Sequence, residues 1–246
     1  MLNNKNIFYE KSFDYFLNRI ENNEHFRYSR FNDGELIAII GKTPQGANCD
    51  GHQYFPEMGK ELKEILLKYK FDENYILESF DHWYNVLPHI KKIIHELKTS
   101  NPELSFLNTD FIRISHEQEP ENFIEMLEIL KTKKMVIVGP SYLMNLNKYF
   151  DFRFIEVPIK NCYVEKNRIV DDIKKICEVE NDNFFLFSAS MPANIIINSF
   201  NDNKNTYLDW GSVWDTFFNS SEFNYIKKRS TSNKLNIINK YKKYWL

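Results

Sequence analysis

Phe184-Phe185-Leu186-Phe187-Ser188-Ala189-Ser190-Met191-Pro192 runs from a wholly apolar stretch into a small-residue turn closed by proline. A strand covered on one face alternates apolar and polar residues. A run that is apolar throughout is covered on both faces, as buried parallel strands are. Pro192 then suits the first turn of a helix, because its ring presets φ and that position needs no N–H. Strand, turn and helix make part of a β-α-β unit, and the rest of the chain repeats the arrangement.

Working outward, Tyr207-Leu208 reads as the next strand, followed by Asp209-Trp210-Gly211. Upstream, Val170, Ile173, Ile176 and Cys177 mark a helix, and Phe154 to Val157 a strand. Met135 to Val138 is another strand, turning through Gly139-Pro140-Ser141 into a predicted helix. Pro120 opens a helix behind the strand-like Phe111-Ile112-Arg113-Ile114. Earlier come a helix near Tyr84 to Leu97, a strand at Tyr75 to Leu77, and a helix from Pro56 to about Tyr69. Gly41 to Tyr54 reads as a loop, and Phe26 to Phe31 as a strand ending at Asn32-Asp33-Gly34-Glu35. Leu36 to Ile40 looks like a helical turn, and Ser12 caps a helix carrying Phe13, Phe16, Leu17 and Ile20. This alternation predicts an α/β, three-layer Rossmann-like fold with a mainly parallel sheet. In such sheets ligands bind past the carboxyl ends of the strands, so the turns there are where chemistry is expected.

The chain has 246 residues, 43% hydrophobic and 27% charged, enough for a large core. Residues 1–222 are expected to form a single α/β domain and 223–246 a basic C-terminal helix or tail. That tail carries Lys227, Lys228, Arg229, Lys234, Lys240, Lys242 and Lys243 and no acidic residue, which makes it a solvated helix or a surface for an anionic acceptor or membrane. The net charge of −2 implies no global attraction to nucleic acid. No apolar run approaches the roughly 20 residues of a membrane span, and the first ten residues lack a secretory pattern, so a cytoplasmic location is expected. Cys49, Cys162 and Cys177 are widely spaced, as reduced thiols rather than a disulfide framework or zinc site.

Asp33-Gly34-Glu35 is the most informative segment. Two carboxylates two residues apart at a strand end can converge on one Mg²⁺ or Mn²⁺, hard cations that carboxylates share with substrate phosphates. Gly34 permits a tight turn and close approach of a ligand. The competing reading is helix capping, with Asp33 as the N-cap and Glu35 in the first turn.

Ser29-Arg30-Phe31-Asn32-Asp33-Gly34-Glu35 resembles the signature Ser-Arg-Phe-Gly-Asp-Gly-Glu of the GT-D-type glycosyltransferases, a family first catalogued as a domain of unknown function. Asn32 stands where that signature has glycine, and asparagine tolerates left-handed backbone better than most residues. Gln53 to Met58 is similar to the family's Gln/Tyr-Pro-Glu-Leu helix start, and Thr109 to Arg113 to its Thr-Phe-Ile-Ser-Arg strand. Val138-Gly139-Pro140, Val157-Pro158 with Asn161, Ser188 to Ala193, and Leu208 to Gly211 follow in the same order. The likeness spans roughly residues 26 to 215.

The resemblance implies a metal-dependent glycosyltransferase using a nucleotide-diphosphate sugar, a UDP-sugar above all. Asp33 and Glu35 would hold Mn²⁺ or Mg²⁺ and the donor diphosphate, whose growing charge a cation stabilises. Arg30 and Arg113 would add bidentate positive charge, or else serve as structural ion pairs. Asn32 and Gly34 shape the turn. Ser188, Ser190 and Gly139 could meet a phosphate, Ser188 and Ser190 at a helix N-terminus. The family's Gly-Pro-Thr-Ala is here Ser190-Met191-Pro192-Ala193, which loses the glycine that allows close backbone approach. His52, in the loop beyond the acidic turn, could bind donor or acceptor. Asp81 or His82 could take the proton of the acceptor hydroxyl, and Trp83 could stack on a sugar or pack in the core. Asp209 could hold a ribose or a metal. The acceptor would be a glycan, a lipid-linked sugar or a modified nucleic-acid base, and an oligomer is compatible with the sequence. Two other readings are an unrelated Rossmann-like enzyme, such as a methyltransferase or epimerase, and a non-catalytic module that binds sugar nucleotides or nucleic acid. No Gly-x-Gly-x-x-Gly follows a strand, which argues against dinucleotide binding.

Overall fold

The computed structural model describes residues 7–41, 55–108, 111–112 and 120–218. Eight strands among them form one sheet: β1 (Phe8–Tyr9), β2 (Arg27–Arg30), β3 (Tyr75–Glu78), β4 (Phe106–Leu107), β5 (Lys134–Gly139), β6 (Arg153–Glu156), β7 (Asn183–Phe187) and β8 (Thr206–Asp209). Their order is β1-β4-β3-β2-β8-β7-β5-β6, and every pairing between them is parallel. The sheet thus joins two halves, and the seam lies between β2 and β8.

The helices are α1 (Phe13–Glu21), α2 (Asp33–Ile40), α3 (Pro56–Lys68), α4 (Asp81–Val86), α5 (Pro88–Ser100), α6 (Pro120–Lys131), α7 (Lys166–Val179) and α8 (Pro192–Asn198). They cover both faces, so strand side chains go alternately to two cores. Phe184 and Leu186 of β7 pack with α1, α6 and the 3₁₀ segments Ser141–Lys148 and Val213–Phe217. Phe185 and Phe187 pack with α2, α3, α5, α7 and α8. All four side chains are buried, which is why the strand is apolar without alternation.

Most sequence expectations for the elements hold. Ser12 Oγ accepts the N–H of Tyr15 at 3.3 Å and caps α1. Pro56 and Pro192 stand at helix starts. Three expectations need correction. Phe111 and Ile112 are helical rather than strand, and both are buried; Phe16 stacks on Phe111 with ring centres 4.1 Å apart. Tertiary stacking there overrides β propensity. The strand of that region is Phe106–Leu107, and a further two-residue strand, Phe8–Tyr9, pairs with it. The helix expected at Tyr84 to Leu97 is two helices, broken at Leu87 because Pro88 disfavours helical backbone in the residue before it. The segment after Gly139-Pro140 is 3₁₀ rather than α-helical. The Gly41–Tyr54 loop beyond Gly41, Arg113 and the basic tail lie outside the described residues.

Candidate active site at the seam of the sheet

The β2–β8 ladder ends at Tyr28 and Leu208. Beyond it the two strands part, and Arg30 would be left with unpaired backbone groups on that side. Asn194, a fully buried residue of α8, takes both: its Oδ1 accepts from Arg30 N at 3.2 Å and its Nδ2 donates to Arg30 O at 2.6 Å. The side chain replaces a strand partner and satisfies the backbone while the crevice opens. On the other side β2 continues against β3, with Phe31 N donating to Glu78 O at 2.7 Å.

Into this crevice the strand ends deliver charge. Arg30 Nη2 donates to Asp209 Oδ1 at 3.3 Å, and both side chains are largely buried, at 15% and 8% exposure. Asp209 also accepts the N–H of Gly211 at 3.1 Å. Gly211 has φ +59, and a Cβ on it would lie 1.7 Å from Arg30 Nη2, so the guanidinium lies against a backbone that only glycine leaves bare.

Asp33 and Glu35 are not in an open turn. Asp33 is the first residue of α2, and the N-cap is Asn32, in extended backbone with φ −91 and ψ −161. The left-handed geometry considered for Asn32 is therefore not used. Glu35 folds back, and its Oε2 accepts the N–H of Asn32 at 3.1 Å, half of a capping box. The capping reading is correct for Glu35 and misplaced by one residue for Asp33. Positions one and three of a helix face different sides. Both side chains lean toward the N-terminus, so these two can share a ligand only ahead of the first turn.

The electrostatics show what surrounds Glu35. Its carboxyl is pushed up to about 8, first by desolvation, then by the negative charge of Asp209 and more weakly of Asp33; a hydrogen bond from its own backbone N–H and the charge of Arg30 oppose the rise. Asp33, Glu35, Arg30 and Asp209 thus act on one another, and Asp209 is the acid Glu35 feels most.

Asn32 ties this cluster to β3. Its Nδ2 donates to Oε2 of the fully buried Glu78 at 3.3 Å, and its Oδ1 accepts weakly from Phe80 N at 3.5 Å. Neither Glu78 nor Asn194 stands out in the sequence. Their one available signal is position: a carboxylate closing an apolar strand, and an amide inside an apolar helix. Gly34 is buried in the first turn of α2. Asp81 starts α4 just past β3, its N–H donating to Asn108 Oδ1 at 2.9 Å. His82 is exposed and packs edge-on to Trp83, which lies partly buried against the core.

In the other half, Ser188 comes directly after β7, whose last residue Phe187 pairs with Asp209. Its N–H donates to Val138 O at 2.8 Å, and α8 begins only at Pro192. The expectation that Ser188 stands at a helix N-terminus is therefore corrected: three residues of turn separate it from the helix. Ser190 holds φ +56, so a serine occupies left-handed backbone where the resemblance has glycine. Gly139 is buried; a Cβ there would meet Leu143 Cδ1 at 2.5 Å and Ser188 Cβ at 3.3 Å, so close packing against those side chains leaves no room for a larger residue. The structure brings Arg30, Asn32, Asp33, Gly34, Glu35 and Asp209 together, with Asp81 beside β3 and Ser188 one strand beyond Asp209. His52 and Arg113 lie outside the described residues.

Among the described residues no group of three His, Cys, Asp or Glu side chains stands ready to hold a metal ion. The donor set is hard carboxylate oxygen. It suits a divalent ion that completes its shell with water and phosphate rather than with an all-protein cage.

No protein-family profile matches this chain, and no curated protein does. Solved structures match closely in shape. A new glycosyltransferase from Streptococcus sanguinis, of the domain of unknown function 1792, superposes with TM-score 0.63 at 16% identity over 85% of this chain and 82% of its own. A selenomethionine-substituted domain of unknown function 1792 gives 0.65 at 16% identity over 94% and 93%. A third structure of that domain, described as having a distinct glycosyltransferase fold, gives 0.61 at 18% identity over 94% and 93%. This chain has the same fold. Among the described residues no helix is long and apolar enough to cross a membrane.

Proposed function

We propose that the protein is a glycosyltransferase that takes a sugar from a nucleotide-diphosphate donor, a UDP-sugar above all, in the presence of Mn²⁺ or Mg²⁺. The observation that carries this reading is the gathering of Asp33, Glu35, Arg30 and Asp209 at the seam, past the carboxyl ends of the strands, where open α/β sheets bind ligands. That this fold is shared with glycosyltransferase structures supports it.

Asp33 and Glu35 would hold the cation, with Asp209 close behind Glu35. When bound, the ion supplies positive charge to a leaving diphosphate. Glu35 crowded among acidic neighbours is a site whose repulsion a cation relieves. Arg30, fixed against Gly211, holds Asp209 in place and adds a guanidinium beside the departing phosphates. Asn32 and Asn194 keep the strand ends and the start of α2 in register, so the charges are positioned before the donor arrives. Asp81 and His82, at the head of α4, are the groups for taking the proton of the acceptor hydroxyl. The acceptor class is a glycan, a lipid-linked sugar or a modified nucleic-acid base.

The test is a panel of nucleotide sugars screened for Mn²⁺-dependent hydrolysis and for thermal stabilisation. Turnover of at least one donor, abolished by excess chelator, is expected. Stabilisation by a nucleotide without turnover would identify a binding module instead, and full turnover in chelator would remove the metal from the mechanism.

A further inference from the structure

Beside the charged crevice lies a small slot of opposite character, past the carboxyl ends of β5, β6 and β7, with a cavity volume of about 50 Å³. Phe55 and Met58 from the start of α3, Pro140 after β5, and Pro158 and Tyr163 after β6 form apolar walls, and Ser188 after β7 lies between them. The Phe55 and Tyr163 rings stand 5.4 Å apart at 36°. Ser188 Oγ is buried and makes no hydrogen bond among the described residues. A buried hydroxyl without a partner costs about 1–3 kcal/mol, so a ligand atom that hydrogen-bonds it recovers that cost. Two other lining residues, Asn161 and Ser190, hold left-handed backbone, with φ +59 and +56, the kind of strain that collects at ligand clamps.

We infer that this slot binds the base of the donor nucleotide, its ring between the flat apolar walls and one of its polar atoms on Ser188 Oγ. This rests on the donor reading above and deepens it. The placement agrees in scale. β7 is next to β8 and two strands from β2, so Ser188 lies on the order of 5–10 Å along the sheet edge from the Arg30–Asp209 pair. A ribose and two phosphates span that interval. The slot shares its face with α2, because α2, α3 and α8 cover the same side of the sheet. Flat apolar walls with one hydrogen-bonding group are what a heteroaromatic ring needs for stacking and orientation.

The experiment is calorimetric titration, with Mn²⁺ present, of UDP and separately of inorganic pyrophosphate into the wild type, Ser188→Ala and Ile159→Trp. Ile159 lines the slot but is 37% exposed, so its variant fills the slot without rebuilding the core and keeps the test alive if Ser188→Ala does not fold. UDP binding should weaken by about five- to tenfold in Ser188→Ala, the worth of one hydrogen bond. It should weaken more in Ile159→Trp, and pyrophosphate binding should match wild type in both. Unchanged UDP affinity in both folded variants, or equal losses for UDP and pyrophosphate, would overturn the slot while leaving the diphosphate centre standing. Binding of neither ligand by the wild type would overturn the donor reading and the slot with it.

Discussion

The two halves of the sheet meet at one carboxyl edge and present opposite surfaces there. At β2 and β8 the strand ends deliver Arg30, Asp209 and the Asp33–Glu35 helix start, with buried Asn194 and Glu78 behind them. At β5, β6 and β7 the same edge carries proline, aromatic and small residues around a slot. The backbone architecture of the two regions is alike, so fold position alone does not choose the chemistry. The segment leaving each strand makes that choice. After β2 the chain enters an eight-residue helix directly, and its first turn holds charge. After β5, β6 and β7 it passes through Pro140, Pro158 and the Ser188–Met191 turn, which turn apolar surface inward.

Breaking the charged half should have the largest effect. Asp33→Asn and Glu35→Gln should each lower transfer by about a hundredfold or more, the scale of lost electrostatic stabilisation, with circular dichroism unchanged. Two folded variants with near-normal rates would reduce the pair to helix capping and erase the contrast between the halves.

Next in size is the ion pair. Arg30→Ala leaves Asp209 largely buried without its guanidinium, which should cost about 3 kcal/mol in denaturant unfolding. Gly211→Ala should reproduce part of that loss by pushing the guanidinium away, and the two changes should not add. Full additivity would mean that Gly211 acts independently of Arg30.

A third test sharpens how dry the charged crevice is. The Glu35 carboxyl is raised from 4.5 to about 8, so the folded protein binds that proton more tightly than the unfolded chain. The associated stability is complete below about pH 4.5 and is lost as pH rises through about 8. In metal-free protein, the thermal midpoint of the wild type should fall more than that of Glu35→Gln between about pH 5 and about pH 8.5. Parallel curves would show that Glu35 is solvated.

The smallest effect is expected at Asn32. Asn32→Gly removes the bond to Glu78 but spares the backbone N–H that Glu35 accepts, so stability should drop by about 1 kcal/mol. Mn²⁺ affinity, followed by titration, should weaken by less than tenfold. A larger loss would make the Asn32 side chain, rather than the helix start, the element that positions the acidic cluster.

Sequence by itself determined the fold class and most elements, because apolar periodicity records which faces are covered, and that information is local. The wholly apolar Phe184–Phe187 run already required cover on both faces, and Ser12, Pro56 and Pro192 marked helix starts by their own backbone chemistry. The Asp33–Glu35 segment was legible for the same reason: its residues are neighbours in the chain. Tertiary structure alone decided the partners. Arg30 meets Asp209 across 179 positions and Asn194 across 164, and Asn32 meets Glu78 across 46. It also made Phe111 and Ile112 helical, placed Glu35 inside a capping box, and left Ser188 facing an apolar slot instead of a helix end. Such contacts depend on strand order, and periodicity carries no record of which strand lies beside which. A carboxylate's neighbours, and with them its charge state, are therefore set only when the sheet is assembled.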